Sequence, residues 1–199
     1  MLQPDLFGAS VRAAPAPPEG LSYRADALTV EQERNLAETI GALPFKPFEF
    51  QGHEAHRQVV AFGWRYDYGQ RAVLEAEPIP DWLDPVRAIA ADLSGEPPEA
   101  FVQVLINRYD PGAGIGWHRD RPQFAKVVGV SLLEPCAMRF RRQIGEKWER
   151  TSAPLAPRSA YLLTGPARRE WQHSIAPMEA LRYSVTLRTF AERRKSRSS

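Results

Sequence analysis

The feature that most limits what this chain can become is a series of short, β-branched and aromatic segments in its second half. They lie at 100–109, 126–133, 137–142, 160–164, 170–175 and 182–190, each bounded by proline, glycine or charged residues. That spacing is the pattern of an all-β sandwich or barrel. The segment 57–68 (RQVVAFGWRYDY) has the same character. Two helices are also expected. Thr29 followed by Gln32 is a capping-box pattern, after which Leu36, Ile40 and Leu43 recur at helical spacing until Pro44. From about 81 to 93, Trp82, Leu83, Val86, Ile89, Ala90 and Leu93 form a second stripe, with Pro85 near the first turn and Gly95 past the end. The expected fold class is α+β, mainly β, with helices packed on one outer face of a β-sandwich core.

At 199 residues the chain fits one domain. That domain is expected at 21–191, between a proline-rich arm at 1–20 and a basic tail at 192–199. A content of 43% hydrophobic and 25% charged residues excludes wholesale disorder. No run approaches the roughly 18 apolar residues of a membrane span, and the N-terminus lacks an apolar export segment. The single cysteine, Cys136, can form neither an internal disulfide nor a thiolate metal cluster, and it reads as a packed core residue. A monomer in the reducing cytoplasm, with no membrane partner, is the expectation. The net charge of +2 is too small to establish a polyanionic partner.

The chemistry concentrates around two of the four histidines. In Trp117-His118-Arg119-Asp120, His118 and Asp120 are two apart, so on extended backbone they share a face. His173, in another strand-like segment, is the natural third ligand. Two imidazoles and a carboxylate make the facial triad of non-haem Fe(II) oxygenases, which leaves positions for a cosubstrate and dioxygen. An H-x-D alone is a weak signal, because a surface histidine beside a solvated aspartate is the commoner situation. The last strand changes the odds. In Arg182-Tyr183-Ser184-Val185-Thr186-Leu187-Arg188 every even position is polar, while Tyr183, Val185 and Leu187 face the core. Arg182 and Arg188 stand about 20 Å apart along such a strand. Their planar forks suit the two ends of a small dicarboxylate, which they are expected to clamp.

Taken together, Asn107-Arg108-Tyr109 with Pro111-Gly112, His118-Arg119-Asp120, Trp171-Gln172-His173-Ser174-Ile175 and RYSVTLR resemble the AlkB-type Fe(II)/2-oxoglutarate-dependent dioxygenases in order and spacing. The resemblance spans about 107 to 190 and implies a double-stranded β-helix, or jelly-roll, core. It implies that His118, Asp120 and His173 hold Fe(II), with 2-oxoglutarate and O2 as cosubstrates. Arg182 matches the arginine that pairs with the distal carboxylate of 2-oxoglutarate, assisted by Tyr109. Arg188 and Asn107 match the pair near the iron-bound end. Ser184 stands where some members have Asn, and Thr186 keeps a hydroxyl on the same face. Arg169 matches a recurrent arginine that either orders Asp120 or touches substrate. The implied reaction decarboxylates 2-oxoglutarate to succinate and hydroxylates an N-alkyl group, whose hemiaminal then releases an aldehyde.

The substrate implied is an N-alkylated nucleobase, in single-stranded rather than duplex nucleic acid. Members acting on damaged bases often carry acidic residues just after H-x-D. This chain has Arg121-Pro122-Gln123-Phe124, leaving Gln123 as the group able to hydrogen-bond a base edge. That departure keeps an RNA modification or a methylated protein side chain open as alternatives. The family builds its substrate lid from a β-hairpin, expected here at about 50–70. There Arg57, Tyr66 and Tyr68 offer a basic grip and stacking rings, while Trp64 fits one face of a buried strand equally well. His53 and His56 read as surface or hairpin residues, and Trp117 and Trp171 as core packing. The basic cluster of Arg139, Arg141, Arg142, Lys147 and Arg150 reads either as a solvated face or as a phosphate track. Two readings from other classes stand beside the enzyme. One is a jelly-roll that binds metal and dicarboxylate without turnover; the other is a basic nucleic-acid-binding protein without catalysis.

Overall fold

The computed structural model describes residues 16–50, 53–67 and 72–191. The expected basic tail, most of the arm and Tyr68 lie outside the described residues. In chain order, β1 (Leu21–Arg24) leads to α1 (Val30–Gly41), and β2 (Lys46–Phe50), β3 (His53–Asp67) and β4 (Ala72–Glu75) follow. A 3-10 turn at Asp81–Leu83 opens into α2 (Asp84–Ser94), and another at Pro98–Ala100 precedes the next strand. Then come β5 (Phe101–Tyr109), β6 (Ile115–His118), β7 (Phe124–Leu133), β8 (Cys136–Ile144) and β9 (Lys147–Leu155). The last elements are β10 (Ala160–Leu163), α3 (Gly165–Arg169), β11 (Gln172–Ile175) and β12 (Arg182–Phe190).

The strands form two antiparallel sheets. The larger runs β1-β10-β7-β12-β5-β3-β2, with β4 on the far half of β3, and the smaller runs β6-β11-β8-β9. From β5 onward the chain passes back and forth between them: β5, β7, β10 and β12 in one, β6, β8, β9 and β11 in the other. This is the double-stranded β-helix that was expected.

The helices cover the outer face of the larger sheet. Thr29 caps α1 in both directions: its hydroxyl accepts from the Gln32 amide at 3.1 Å and its amide donates to Gln32 Oε1 at 2.8 Å. Such a cap stabilises a helix by about 1 kcal/mol. Leu36 and Ile40 of α1, with Val86 and Ala90 of α2, bury their faces among Val104, Ile106, Val128, Val130, Val185 and Leu187. Because alternate residues of a strand point to opposite faces, the odd positions of β12 join this apolar layer. Arg182, Ser184, Thr186 and Arg188 turn between the sheets, and all four are buried. Glu33 ties α1 to the sheet by accepting from the Leu133 amide (2.8 Å) and from Arg158 Nη1 (3.2 Å).

Three local results differ from the sequence reading. Residues 18–20, expected in the arm, are held in place: Glu19 and Gly20 carbonyls accept from the Ala167 and Thr164 amides at 2.8 and 2.9 Å. The segment expected at 57–68 is part of a longer strand that serves two partners. Residues Gln58 to Gly63 pair with β5, and Trp64 to Asp67 pair with β4. The switch falls at Gly63, where φ is +75° and a Cβ would stand 2.2 Å from the Val102 carbonyl oxygen, so only glycine fits. Strands β1, β2, β4, β6 and β9 and the short α3 lie outside the segments expected from the sequence.

Candidate active site

The pairing of β6 with β11 sets His118 directly opposite His173, with ring centroids 4.3 Å apart. Asp120 lies two residues beyond His118, and its Oδ2 stands 3.5 Å from His173 Nε2. The Asp120 and His173 side chains are only 6% and 12% exposed. His118 Nδ1 lies 2.9 Å from the Gly116 carbonyl. A carbonyl can only accept, so the proton sits on Nδ1 and Nε2 keeps its lone pair. Burial lowers the pKa of His118, and it pushes that of His173 down to about 3, so both imidazoles are neutral at ordinary pH. Asp120 goes the other way in charge. Burial opposes its ionisation, but Arg188 and the two histidines outweigh that and hold its carboxyl below the usual range. Two neutral imidazoles and one carboxylate converging at one place are a donor set suited to a divalent iron ion.

Arg188 donates to Asp120 Oδ1 from Nε at 2.9 Å and from Nη2 at 2.7 Å, while its Nη1 donates to Gln103 Oε1 at 3.0 Å. Gln103 in turn donates to the Trp64 carbonyl at 2.6 Å, which links β3 to the metal-binding cluster. The clamp expected of the two arginines therefore divides into separate roles. Arg188 orients Asp120, and Arg182 stands apart from the carboxylate.

Arg182 is fully buried, with Nη2 donating to Ser131 Oγ at 2.6 Å and its Cζ 5.3 Å from the centre of the Tyr109 ring. Its Nε and Nη1 are buried without a hydrogen-bond partner. A buried guanidinium with free donors is costly unless an anion meets it, so the site fits a ligand carboxylate here. The strand register builds the surface beside it. Ser184 of β12 is flanked by Asn107 and Ser131, and Thr186 by Leu105 and Gly129. Asn107 Oδ1 accepts from Arg57 Nε at 3.2 Å.

The residues assigned to substrate disperse. Arg57 is buried against Asn107, as part of the inner polar surface rather than as an exposed grip. Gln123 has its Oε1 buried without a partner, and its carbonyl accepts from the Ala191 amide at 2.8 Å. Arg169 is exposed, and Arg188 rather than Arg169 orders Asp120. Tyr66 falls in β3 but its side chain is outside the described residues, as is Tyr68. Trp64 meets Phe190 edge-on at 5.6 Å, which fits strand packing. Trp171 is buried as expected; Trp117 instead lies half-buried on the outer face of the smaller sheet. Cys136 packs between two apolar clusters, and burial raises its pKa.

Three site residues escaped the sequence reading. Tyr161 of β10 lies across Gly129, so close that a Cβ there would stand 2.2 Å from its Cζ. The charges of Arg182, Asp120 and Arg188 all act on its buried hydroxyl, whose pKa is raised chiefly by burial. Gln103 joins Arg188 to β3. Arg168, buried in α3, donates to the Phe124 carbonyl at 2.7 Å and to that of Arg121, which pins the segment after Asp120. The one available signal was Gly129 on β7, a missing side chain within an otherwise bulky strand.

Residues 20–196 match the family model described as the 2OG-Fe(II) oxygenase superfamily. The chain belongs to that superfamily. It is a dioxygenase whose cofactor is Fe(II) and whose cosubstrates are 2-oxoglutarate and O2. The AlkB-type resemblance of the motifs is borne out by its relatives. A mouse protein named tRNA (carboxymethyluridine(34)-5-O)-methyltransferase ALKBH8 is 28% identical over 168 residues, covering 80% of this chain and 24% of that protein. An Arabidopsis thaliana protein named alkylated DNA repair protein ALKBH8 homolog is 26% identical over 180 residues, covering 78% of this chain and 50% of that one. The chain thus spans between about a quarter and a half of the length of these relatives. The solved structure of OsALKBH1 superimposes with a TM-score of 0.63 at 17% identity, covering 87% of this chain and 98% of that one. Among the described residues no helix is long and apolar enough to cross a membrane.

Proposed function

We propose that the chain catalyses oxidative dealkylation of N-alkylated nucleobases in single-stranded nucleic acid, with His118, Asp120 and His173 as the Fe(II) ligands. The observation that carries the site assignment is Arg182, whose buried, unpartnered Nε and Nη1 stand ready for the distal carboxylate of 2-oxoglutarate. Bound Fe(II) supplies the activation of O2 that couples decarboxylation of 2-oxoglutarate to hydroxylation of a C–H bond.

The chain's own residues supply orientation. Arg188 fixes one oxygen of Asp120, so that the other is presented beside His173. Gly116 fixes the His118 ring through Nδ1. Arg182, with Ser131 and the Tyr109 ring, aligns the cosubstrate along the polar row of β12. Ser184 and Thr186 line that row, with Asn107 beside Ser184. The hemiaminal formed on the substrate collapses by breaking its C–N bond, which releases the aldehyde and the restored base nitrogen.

Nucleic acid is favoured as the substrate because AlkB-type relatives carry names tied to alkylated DNA and to tRNA. A base acted on in a pocket must leave its stack, and this costs least in a single strand. The tRNA-related name of the mouse relative supports RNA as a second reading of the same chemistry. The test measures succinate and formaldehyde released with Fe(II), ascorbate and 2-oxoglutarate. It compares DNA and RNA oligonucleotides carrying 1-methyladenine or 3-methylcytosine, beside His118→Ala. Formaldehyde matching succinate and lost in the variant is expected, and the better oligonucleotide names the polymer. Succinate without formaldehyde on either polymer would reject the nucleobase.

A further inference from the structure

The smaller sheet has a second face, turned away from His118 and His173. Side chains alternate along a strand. Met138 and Phe140 of β8 are buried between the sheets, so Arg139 and Arg141 point outward. Register then places Arg150 of β9 directly opposite Arg141, with Ser174 and Gln172 of β11 opposite Arg139 and Arg141. Trp117 of β6 lies against both arginines, its ring centre 5.3 Å from Arg139 Cζ and 4.5 Å from Arg141 Cζ. Trp148 of β9 also meets Arg141 at 4.5 Å and is 38% exposed.

Among the described residues of this face, the charged ones are Arg139, Arg141 and Arg150, and none is acidic. Glu149 belongs to the opposite side of β9, where it pairs with Arg142 at 2.7 Å. The two hydrogen bonds that the arginines make here go to neutral groups: Arg139 Nε to Ser174 Oγ at 3.1 Å and Arg141 Nε to Gln172 Oε1 at 2.7 Å. Both use Nε, which leaves the outer nitrogens of each fork for a ligand. Like charges directly opposite on neighbouring strands are destabilising, so the Arg141–Arg150 pair adds nothing to the fold. Contact with two indoles holds the Arg141 guanidinium in one orientation, which lowers the entropy lost when an anion binds it.

Position links this face to the site. In the sheet order β6 is an edge strand, and on it His118 points inward while its neighbour Trp117 points outward. A flexible polymer with one unit in the site can therefore cross the β6 edge onto the arginines. A polymer that offers a phosphate and an aromatic base at every unit matches both residue types present.

We propose that the outer face of the smaller sheet is a docking track for single-stranded nucleic acid. Arg139, Arg141 and Arg150 contact phosphates, and Trp148 stacks on a base beyond the one held in the site. The proposal rests on the nucleic-acid reading above, and two measurements separate them. The first is fluorescence anisotropy of fluorescein-labelled oligo-dT and oligo-U of about twenty nucleotides, long enough to span both regions, across a salt series. Arg141→Gln with Arg150→Gln is expected to weaken binding about tenfold at low salt. It should also make the logarithmic salt slope shallower by about 1.4, the loss of two phosphate contacts on a single strand. Trp148→Ala, an exposed side chain, is expected to weaken binding about tenfold with the slope unchanged. The second measurement is succinate and formaldehyde formation on a methylated trinucleotide, too short to reach the track, which these variants should leave at the wild-type rate. Variants that bind the long oligonucleotides as wild type does, while wild type dealkylates the methylated trinucleotide, overturn the track alone. A wild type that neither binds nor dealkylates any oligonucleotide overturns both. Polyglutamate that binds as tightly as oligo-dT, irrespective of Trp148, would assign the face to an acidic protein instead.

Discussion

Arg188 places two donors on a single oxygen of Asp120, Nε at 2.9 Å and Nη2 at 2.7 Å, while the second oxygen stays beside His173 at 3.5 Å. One carboxylate is thereby divided into an anchored oxygen and an offered one. Lysine carries the charge but not the fork, so Arg188→Lys removes the geometry while keeping much of the electrostatics. Partners that orient a ligand in this way typically contribute 10–100-fold to metal affinity. Calorimetric titration with Mn(II), which does not oxidise, should show a loss of about that size. The KM for 2-oxoglutarate at saturating Fe(II) should move much less. Wild-type Mn(II) affinity in the variant would show that Asp120 is oriented without Arg188.

Arg182 makes a prediction with two signs. Without cosubstrate its buried Nε and Nη1 lack partners, so Arg182→Met should leave the ligand-free fold as stable or more stable. With cosubstrate the order reverses. At about 100 times its Kd, 2-oxoglutarate should stabilise the wild type by about 2.7 kcal/mol and the variant not at all. Thermal melts with and without 2-oxoglutarate read both signs. An equal ligand-induced rise in Tm for the two proteins would remove Arg182 from the cosubstrate site.

What could be read from the sequence depended on periodicity. The even-numbered polar row of RYSVTLR needs only the two-residue repeat of a strand, and it lies inside the sandwich as expected. His118 and Asp120 were legible for the same reason, since two-residue spacing on extended backbone brings them together. The partners of these residues were not legible. Gln103 and Asp120 meet Arg188 from distant points of the chain, through strand register and loop placement that no local pattern encodes. The clamp was misjudged because the sequence showed two arginines and could not show that Asp120 occupies one. Tyr161 was hidden in a strand of four buried residues, where a phenol is indistinguishable from an apolar neighbour.

Tyr161 and Gly129 should behave as one unit. With a Cβ at residue 129 only 2.2 Å from Tyr161 Cζ, Gly129→Ala must move the ring or the strand. Overpacking of this kind costs about 1–3 kcal/mol. Tyr161→Leu removes the obstructing part of the ring, so the double variant should recover most of the loss relative to Tyr161→Leu alone. Urea midpoints for the four proteins give this coupling, and strict additivity would mean the two residues do not press on each other. Tyr161→Phe keeps the ring and removes the hydroxyl that Arg182 and Asp120 act on. It should leave the urea midpoint nearly unchanged while altering the KM for 2-oxoglutarate.

The metal-free protein should lose stability on mild acidification because of its histidines. Burial holds the pKa of His173 at about 3 and lowers that of His118, against an ordinary value of 6.5. Between those native values and 6.5 the unfolded chain binds protons that the native state does not. Stability therefore falls as the pH drops from about 6.5 toward 3. Asp120 acts in the same direction but lower on the scale: its native pKa lies below the ordinary 3.8, so its contribution is lost only as the pH falls through that value and beyond. The span from pH 6.5 to 4.5 thus isolates the histidines from Asp120. Urea midpoints of metal-free wild type should decline across it, and His173→Gln, which cannot titrate there, should decline less. A variant as pH-sensitive as the wild type would mean that the His173 imidazole takes up its proton as readily in the native state as in the unfolded chain, contrary to the burial that surrounds it.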